Sequence, residues 1–228
     1  MITELTDKRH STNQYISLAD TMPRYLFSCR RQKPLKEESD KIRKLFEGKQ
    51  LYLELGSGSG QHLVAHAFSN PSNQFVGMEI RYKRIVKTAQ KAHKKNLNNL
   101  FLIRTDIEYI EEFFCPNQVK RIFINFPDPW DRRRWKKHRL TAPEYLDRYS
   151  RLLTSDGSVY FKTDHKGLYE DTLDIVKART DYTITFTTTD LHNSQRVETN
   201  VITEFEQLFK SKGMPIYALE IERLYKTR

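Results

Sequence analysis

Between residues 125 and 139 the chain reads Asn125-Phe126-Pro127-Asp128-Pro129-Trp130, one further aspartate, then Arg132-Arg133-Arg134-Trp135-Lys136-Lys137-His138-Arg139. The apolar run over 121–125 that leads in has the length of a buried strand. A strand that ends in an amide, two prolines, a carboxylate and an aromatic gives a rigid platform for a flat polar ring. The second segment holds six Lys/Arg in eight residues, interleaved with Trp135 and His138. Cations mixed with ring side chains suit a phosphate backbone and an unstacked base. A ring-binding corner beside a nucleic-acid patch implies chemistry on a base.

A second constellation precedes it. Glu54-Leu55-Gly56-Ser57-Gly58-Ser59-Gly60 falls where an apolar strand over 51–55 should turn into a helix over 61–69. Glycines there let backbone N–H groups approach a ligand. Gln61 occupies the place where the dinucleotide pattern G-x-G-x-x-G needs its last glycine, and the chain has no P-loop. Glu79 ends a second strand, where a carboxylate can accept both ribose hydroxyls. Asp106 follows a third strand and can accept from an exocyclic amine. Acids at three successive strand ends suit a nucleoside without phosphates, and a cationic one. S-adenosylmethionine satisfies both conditions.

These residues need a scaffold of alternating strands and helices. Strand patterns recur at 51–55, 74–79, 100–104, 121–125, 158–162, 182–189 and 216–223. Helix patterns occupy 61–69, 82–97, 141–152 and 167–178, with one more before the last strand. The alternation predicts an α/β fold: a single Rossmann-like domain over 36–228, with a mostly parallel seven-stranded sheet, helices on both faces and a closing antiparallel pair. Residues 1–35, which include Arg30-Arg31-Gln32-Lys33, read as an irregular arm. Thr141 and Glu144 have capping-box spacing, as do Thr203 and Glu206.

Composition narrows the partner. The net charge is +10 over 228 residues, and six of those charges sit in 132–139. A local excess favours nucleic acid. A basic membrane-surface helix competes, but this run places Lys/Arg on every helical face. Two cysteines, no long apolar run and no basic-then-apolar leader predict a soluble, cytoplasmic protein from a reducing compartment. His62 and His66 stand four residues apart as a metal pair would, but no third ligand is in reach, so no metal is expected. No Ser-His-Asp or Cys-His nucleophile arrangement is visible. Lys162 reads as a solvated strand residue, and Asn125 as a residue that shapes the turn.

With these motifs the chain resembles the bacterial tRNA (guanine-N7-)-methyltransferase family of class I S-adenosylmethionine-dependent enzymes. The matching stretches are 54–60, 77–79, 125–130, 139–141, 157–164, 190–193, 203–206 and 213–217. The resemblance implies methylation of a variable-loop guanine of tRNA at N7. It implies a cofactor site formed by Glu54, Gly56, Gly58, Glu79, Asp106 and Asp128, with Asp128 catalytic. It also implies substrate contacts at Arg132, Asp164, Thr203, Glu204, Phe205 and Glu206, and RNA contacts at Arg133, Arg134, Trp135, Lys136, Lys137, His138 and Arg139. Asp131 and Arg132 depart from the family pattern, which favours an uncharged residue and a Lys. Asp164 has a simpler alternative role as a helix cap, and so does the Thr203–Glu206 pair. Two other functions compete: exocyclic-amine methylation, whose Asn/Asp-Pro-Pro-aromatic motif fits poorly here, and RNA binding by a vestigial methyltransferase fold. Monomer and homodimer both remain open.

Overall fold

The computed structural model describes residues 13–29 and 33–224. Helix α1 (Gln14–Asp20) and strand β1 (Leu26–Ser28) come first, then α2 (Lys36–Leu45). Three strand–helix units follow: β2 (Leu51–Leu55) with α3 (Gln61–Ser69), β3 (Gln74–Met78) with α4 (Tyr82–Lys94), and β4 (Leu100–Arg104) with the short α5 (Ile110–Phe113). The second half carries β5 (Val119–Asn125), α6 (Pro143–Leu152), β6 (Leu153–Thr163), α7 (Lys166–Lys177), β7 (Tyr182–Thr188), α8 (Glu204–Ser211) and β8 (Tyr217–Arg223).

One sheet takes all eight strands in the order β1-β4-β3-β2-β5-β6-β8-β7. Every pairing is parallel except those of β8, which runs antiparallel to both β6 and β7. The expected closing antiparallel pair is therefore present, but seven strands become eight. The extra strand, β1, lies inside the segment expected to be an irregular arm. Leu26, Phe27 and Ser28 pair with Leu102, Ile103 and Arg104. Ala19, Tyr25 and Leu26 join Ile85, Val86, Ala89 and Leu102 in one core cluster, so 13–29 packs as part of the domain. A three-residue strand has too little pattern to be read from sequence. Residues 1–12 and 30–32, which include Arg30 and Arg31, lie outside the described residues.

Apolar side chains fill both faces of the sheet. Leu53, Leu55, Val76, Ile122 and Ile124 pack among α2, α5, α6 and α7 side chains on one side, and Leu63, Val64, Ile85 and Val86 form the α3/α4 layer. Among the described residues no helix is long and apolar enough to cross a membrane. The strand order reverses at β2, with β3 and β4 on one side and β5 and β6 on the other. The crevice at the carboxyl ends of such strands is where open α/β sheets bind ligands.

Candidate active site and RNA-facing surface

The reversal point opens into a cleft of about 400 Å³. Leu55 and Gly56 line it from the end of β2, Glu79 from β3, Asp106 from β4, Asn125 to Trp130 from β5, and Asp164 from β6. Phe205 and Phe209 of α8 form a further wall, and Arg81, Arg84 and His138 stand at its edge. Strand ends up to 109 residues apart in sequence thus converge on one cleft. A smaller recess over the glycine loop is lined by Glu54, Ser57, Gly58, His62, Asn125, Thr203, Glu204 and Phe205.

The glycine loop is pinned to its neighbours. The N–H groups of Gly56 and Ser57 donate to Met78 O at 2.9 and 3.0 Å. Gly58 N donates to one Glu79 oxygen at 3.1 Å, and Arg81 N to the other at 2.8 Å. Glu79 therefore braces the loop as well as facing the cleft. Gly60 begins α3 at φ +75°, and a Cβ there would stand 2.2 Å from the Thr88 side chain, so no other residue fits.

Beneath the loop, Glu54 is buried. Its Oε1 accepts from Asn125 Nδ2 at 2.8 Å and lies 3.2 Å from His62 Nδ1. His62 Nε2 meets His66 Nε2 at 3.2 Å, and burial, reinforced by His62, pushes the His66 pKa down to about 3. The two histidines, read as a weak metal candidate, form a chain that ends on Glu54. Among the described residues no group of three or more His, Cys, Asp or Glu could hold a metal. Asn125, read from sequence as a turn residue, is a link in this chain.

Three buried polar atoms here have no hydrogen-bond partner: Glu54 Oε2, Ser57 Oγ and Asn125 Oδ1. All three residues line the smaller recess. An unpaired buried acceptor costs about 1–3 kcal/mol. Two acceptors and a hydroxyl together call for a donor-rich cation, such as the ammonium of an amino-acid tail. The residues thus fit the polar end of S-adenosylmethionine.

The Asn125–Trp130 corner is strained. Phe126 and Trp130 have φ of +50° and +45°, and the only other non-glycine residues with positive φ among those described are asparagines. Bulky residues in the left-handed region cost about 1–3 kcal/mol each and mark functional sites. Phe126 N donates to Lys162 O at 2.8 Å, and its ring lies 5.6 Å from Phe209. Asp128 is exposed between the two prolines, without a hydrogen bond or ion pair from any described residue. Asp106 uses one oxygen to accept from Glu108 N at 3.0 Å. Asp164 lines the cleft and is not a cap; His165 caps α7, its Nδ1 accepting from Leu168 N at 3.0 Å. Asp131 lies 3.2 Å from His165 Nε2 and 3.7 Å from Arg139.

The basic segment divides. Residues 133–138 form a turn of 3-10 helix, with Arg132 and Arg134 over the Trp135 ring at 4.7 and 5.0 Å. Trp135 contacts Trp130 edge-on at 6.0 Å, which joins the basic turn to the cleft. Arg133, Arg134 and Lys137 are exposed, with no acidic partner among the described residues. Lys136 bonds to Asp171 at 2.6 Å, and this pairing holds the Asp171 carboxyl below its ordinary range. Arg139 departs from expectation. It is buried, and donates to Pro129 O and Asp171 at 2.6 Å each. It clamps the corner from within instead of facing solvent. Arg132 stands outside the cleft, on the basic turn.

The 203–206 segment also divides. Thr203 and Glu206 make the expected capping box at the start of α8, and Glu204 pairs with Lys91 at 2.7 Å. Phe205 is exposed into the cleft, with Arg84 5.9 Å from its ring centre. Glu206, expected to touch substrate, is fully buried. It accepts from Lys162 Nζ at 2.7 Å and from Asn200 Nδ2, and His192 Nε2 stands 3.4 Å away. Lys162, expected to be solvated, is buried too and also donates to Asn200 and Val201 O. Desolvation, only partly offset by Glu206, sets its ammonium below the ordinary range. Thr141 does not cap α6, whose N-cap is Ala142; its hydroxyl meets that of Thr172 at 2.7 Å.

A protein-family model described as "Putative methyltransferase" matches residues 48–219. The tRNA (guanine-N(7)-)-methyltransferase of Bacillus subtilis is 37% identical over 75% of this chain and 80% of its own length. The chain belongs to the tRNA (guanine-N7-)-methyltransferase family. A bifunctional glycosyltransferase/methyltransferase of Fusobacterium nucleatum is 38% identical over 83% of this chain, which spans 30% of that protein. The crystal structure of 16S rRNA methyltransferase KamB superposes with a TM-score of 0.62, at 18% identity over 86% of this chain and 97% of that one. That likeness is one of fold. The family's matched region runs from just before β2 into β8, so it contains every strand end that lines the cleft.

Proposed function

We infer that this protein transfers a methyl group from S-adenosylmethionine to N7 of a guanine in tRNA, and specifically in the variable loop. The observation that carries the cofactor half is the trio of unpaired buried atoms on Glu54, Ser57 and Asn125 at the glycine loop. Family membership carries the base and the RNA. Bound there, the cofactor supplies an electrophilic methyl on a sulfonium.

Glu54 and Asn125 would hold its ammonium, Gly56 and Gly58 would let the chain approach, Glu79 would take the ribose, and Asp106 would take the adenine amine. Guanine N7 carries a lone pair and no proton, so no general base is needed. The work left to the protein is alignment and stabilisation of the cationic purine. Asp128, held between two prolines and without a partner among the described residues, accepts from guanine N1–H and the exocyclic amine. Those hydrogen bonds strengthen as the ring becomes positive. Asp164 lines the same cleft and assists, and Phe205 offers an aromatic face to the base. Thr203 and Glu204 frame the recess mouth. Arg132, Arg133, Arg134 and Lys137 meet the phosphates, with Trp135 and His138 among them. This reading places the protein in the cytoplasm with its tRNA.

Incubation with unmodified tRNA and methyl-labelled S-adenosylmethionine, followed by nucleoside analysis, tests it. Label in 7-methylguanosine is expected. Label in an N6-methyladenosine or N2-methylguanosine fraction would transfer the assignment to exocyclic amines. RNA binding with no label would reduce the protein to a binding module.

A further inference from the structure

Helix α4 has a basic face that meets the cleft only at its start, through Arg84. It holds Lys83, Arg84, Lys87, Lys91 and Lys94 with no acidic residue, flanked by Arg81 and Lys95. Lys83, Lys87 and Lys94 lie within about 40° of one another on the helix and span about 17 Å of its axis. All three are exposed, with no acidic partner among the described residues. Lys91 is the exception, tied to Glu204 of α8. A solvated helix face in a protein with 29 acidic residues ordinarily mixes signs; this one does not.

Beside it, α3 and α4 enclose an open groove of about 380 Å³ lined by Gln61, Val64, Ala65, Phe68, Lys91 and Lys95. Phe68 is 59% exposed, and Lys95 Nζ stands 4.4 Å from its ring centre. An exposed ring with the Lys95 ammonium over it combines an aromatic surface and a phosphate contact, the two features of sequence-tolerant binding to unpaired nucleotides.

Topology sets this surface opposite the basic turn over 133–138. The α4 crossover joins β3 to β4 on one side of β2; the 133–138 turn follows β5 on the other. Arg81 and Arg84 carry the basic face to the cleft edge from the first side, and His138 reaches it from the second. We propose that the outer face of α4 and the adjoining α3–α4 groove form a second RNA-binding surface. The same tRNA that presents its guanine to the cleft lays a phosphate run along Lys83, Lys87 and Lys94 and stacks an unpaired base on Phe68. This rests on the RNA reading above and extends its footprint across the cleft.

Binding of unmodified tRNA, measured over a series of salt concentrations, tests it with three variants. Replacing Lys83, Lys87 and Lys94 together by Ala should weaken binding at least tenfold. It should also flatten the log–log salt slope by up to about 0.7–0.9 for each lost contact. Phe68→Ala should weaken binding by roughly tenfold, as for one lost base stack, and leave the slope alone. Affinity for S-adenosylmethionine should stay at the wild-type value in both, since none of these residues lines the cleft. Arg133→Ala/Arg134→Ala serves as reference. A lysine variant with wild-type affinity and slope, alongside a weakened reference, overturns the second surface and leaves the methyltransferase reading intact. A wild type that binds no tRNA overturns both.

Discussion

Glu206→Ala removes the counter-charge of an ammonium that has no access to solvent. Lys162 and Glu206 are both 0% exposed and meet at 2.7 Å. After the substitution Lys162 Nζ retains only two neutral acceptors, Asn200 Oδ1 at 3.0 Å and Val201 O at 3.1 Å. Breaking a buried pair from one side costs about 3–5 kcal/mol. Loss of the Glu206 half of the capping box adds a few tenths to the α8 start. Set against the ~5–15 kcal/mol of a typical domain, this is a large fraction of the total. Lys162→Met alone strands the Glu206 carboxylate in the same way. Lys162→Met with Glu206→Ala strands neither, so the double variant should be more stable than either single one. Equilibrium urea unfolding of the four proteins gives the cycle. The reasoning predicts a coupling of at least about 2 kcal/mol between the sites. Additive effects, or a Glu206→Ala loss below about 1 kcal/mol, would show that water reaches the pair and that Lys162 is the solvated residue its sequence context suggests.

Asp128→Asn keeps one acceptor oxygen and turns the other into a donor facing the donors of guanine. Single-turnover methylation at saturating cofactor and tRNA should slow by roughly a hundredfold or more, the size of a lost preorganised electrostatic group; a rate within a few-fold of wild type would move the role to Asp164. Replacing Arg133, Arg134 and Lys137 by Ala should lower the salt slope of tRNA binding by up to about 0.7–0.9 per contact, while Arg139→Ala should instead destabilise the fold, because that guanidinium is buried on Pro129 O and Asp171. An Arg139→Ala protein with wild-type stability and weakened RNA binding would reverse that division. His66 has its pKa pushed down to about 3 from 6.5. Its neutral form therefore supports the fold fully above about pH 6.5, and the support is lost as pH falls towards 3, because the unfolded chain binds the proton first. Melting temperatures between pH 7 and pH 4 should fall less steeply in His66→Phe than in wild type; parallel curves would remove His66 from the acid response.

What the chain discloses in advance follows range. Leu51–Leu55, Gln61–Ser69 and Leu100–Arg104 occupy the spans their patterns predict, because apolar period and breakers are local. The cleft acids are legible for the same reason: each sits at a strand end, and strand ends converge in a parallel sheet. Residues whose role depends on a distant partner are misread. Lys162 sits 44 positions from Glu206, and nothing near Lys162 signals that its ammonium will be enclosed. Arg139 looks like the last member of a solvated basic run until Asp171, 32 positions on, meets it. Thr141 has the spacing of a cap but turns to Thr172. Strand β1 escapes notice because edge pairing with β4, not its own three residues, makes it a strand. Asn125 carries a signal that could have found it: an amide at the end of β5, next to the strand that carries Glu54, shares that residue's register neighbourhood.

The central claim is that the lone pair of guanine N7 attacks the methyl group, held there by Asp128. The most direct test is a tRNA whose variable-loop guanosine is replaced by 7-deazaguanosine, in which a C–H stands where N7 was. The Watson–Crick edge read by Asp128 and the phosphates met by the basic surfaces are unchanged. The account predicts wild-type binding of this tRNA with no methyl transfer at saturating cofactor. Transfer at the rate seen with the natural guanosine would contradict it and place the acceptor atom elsewhere.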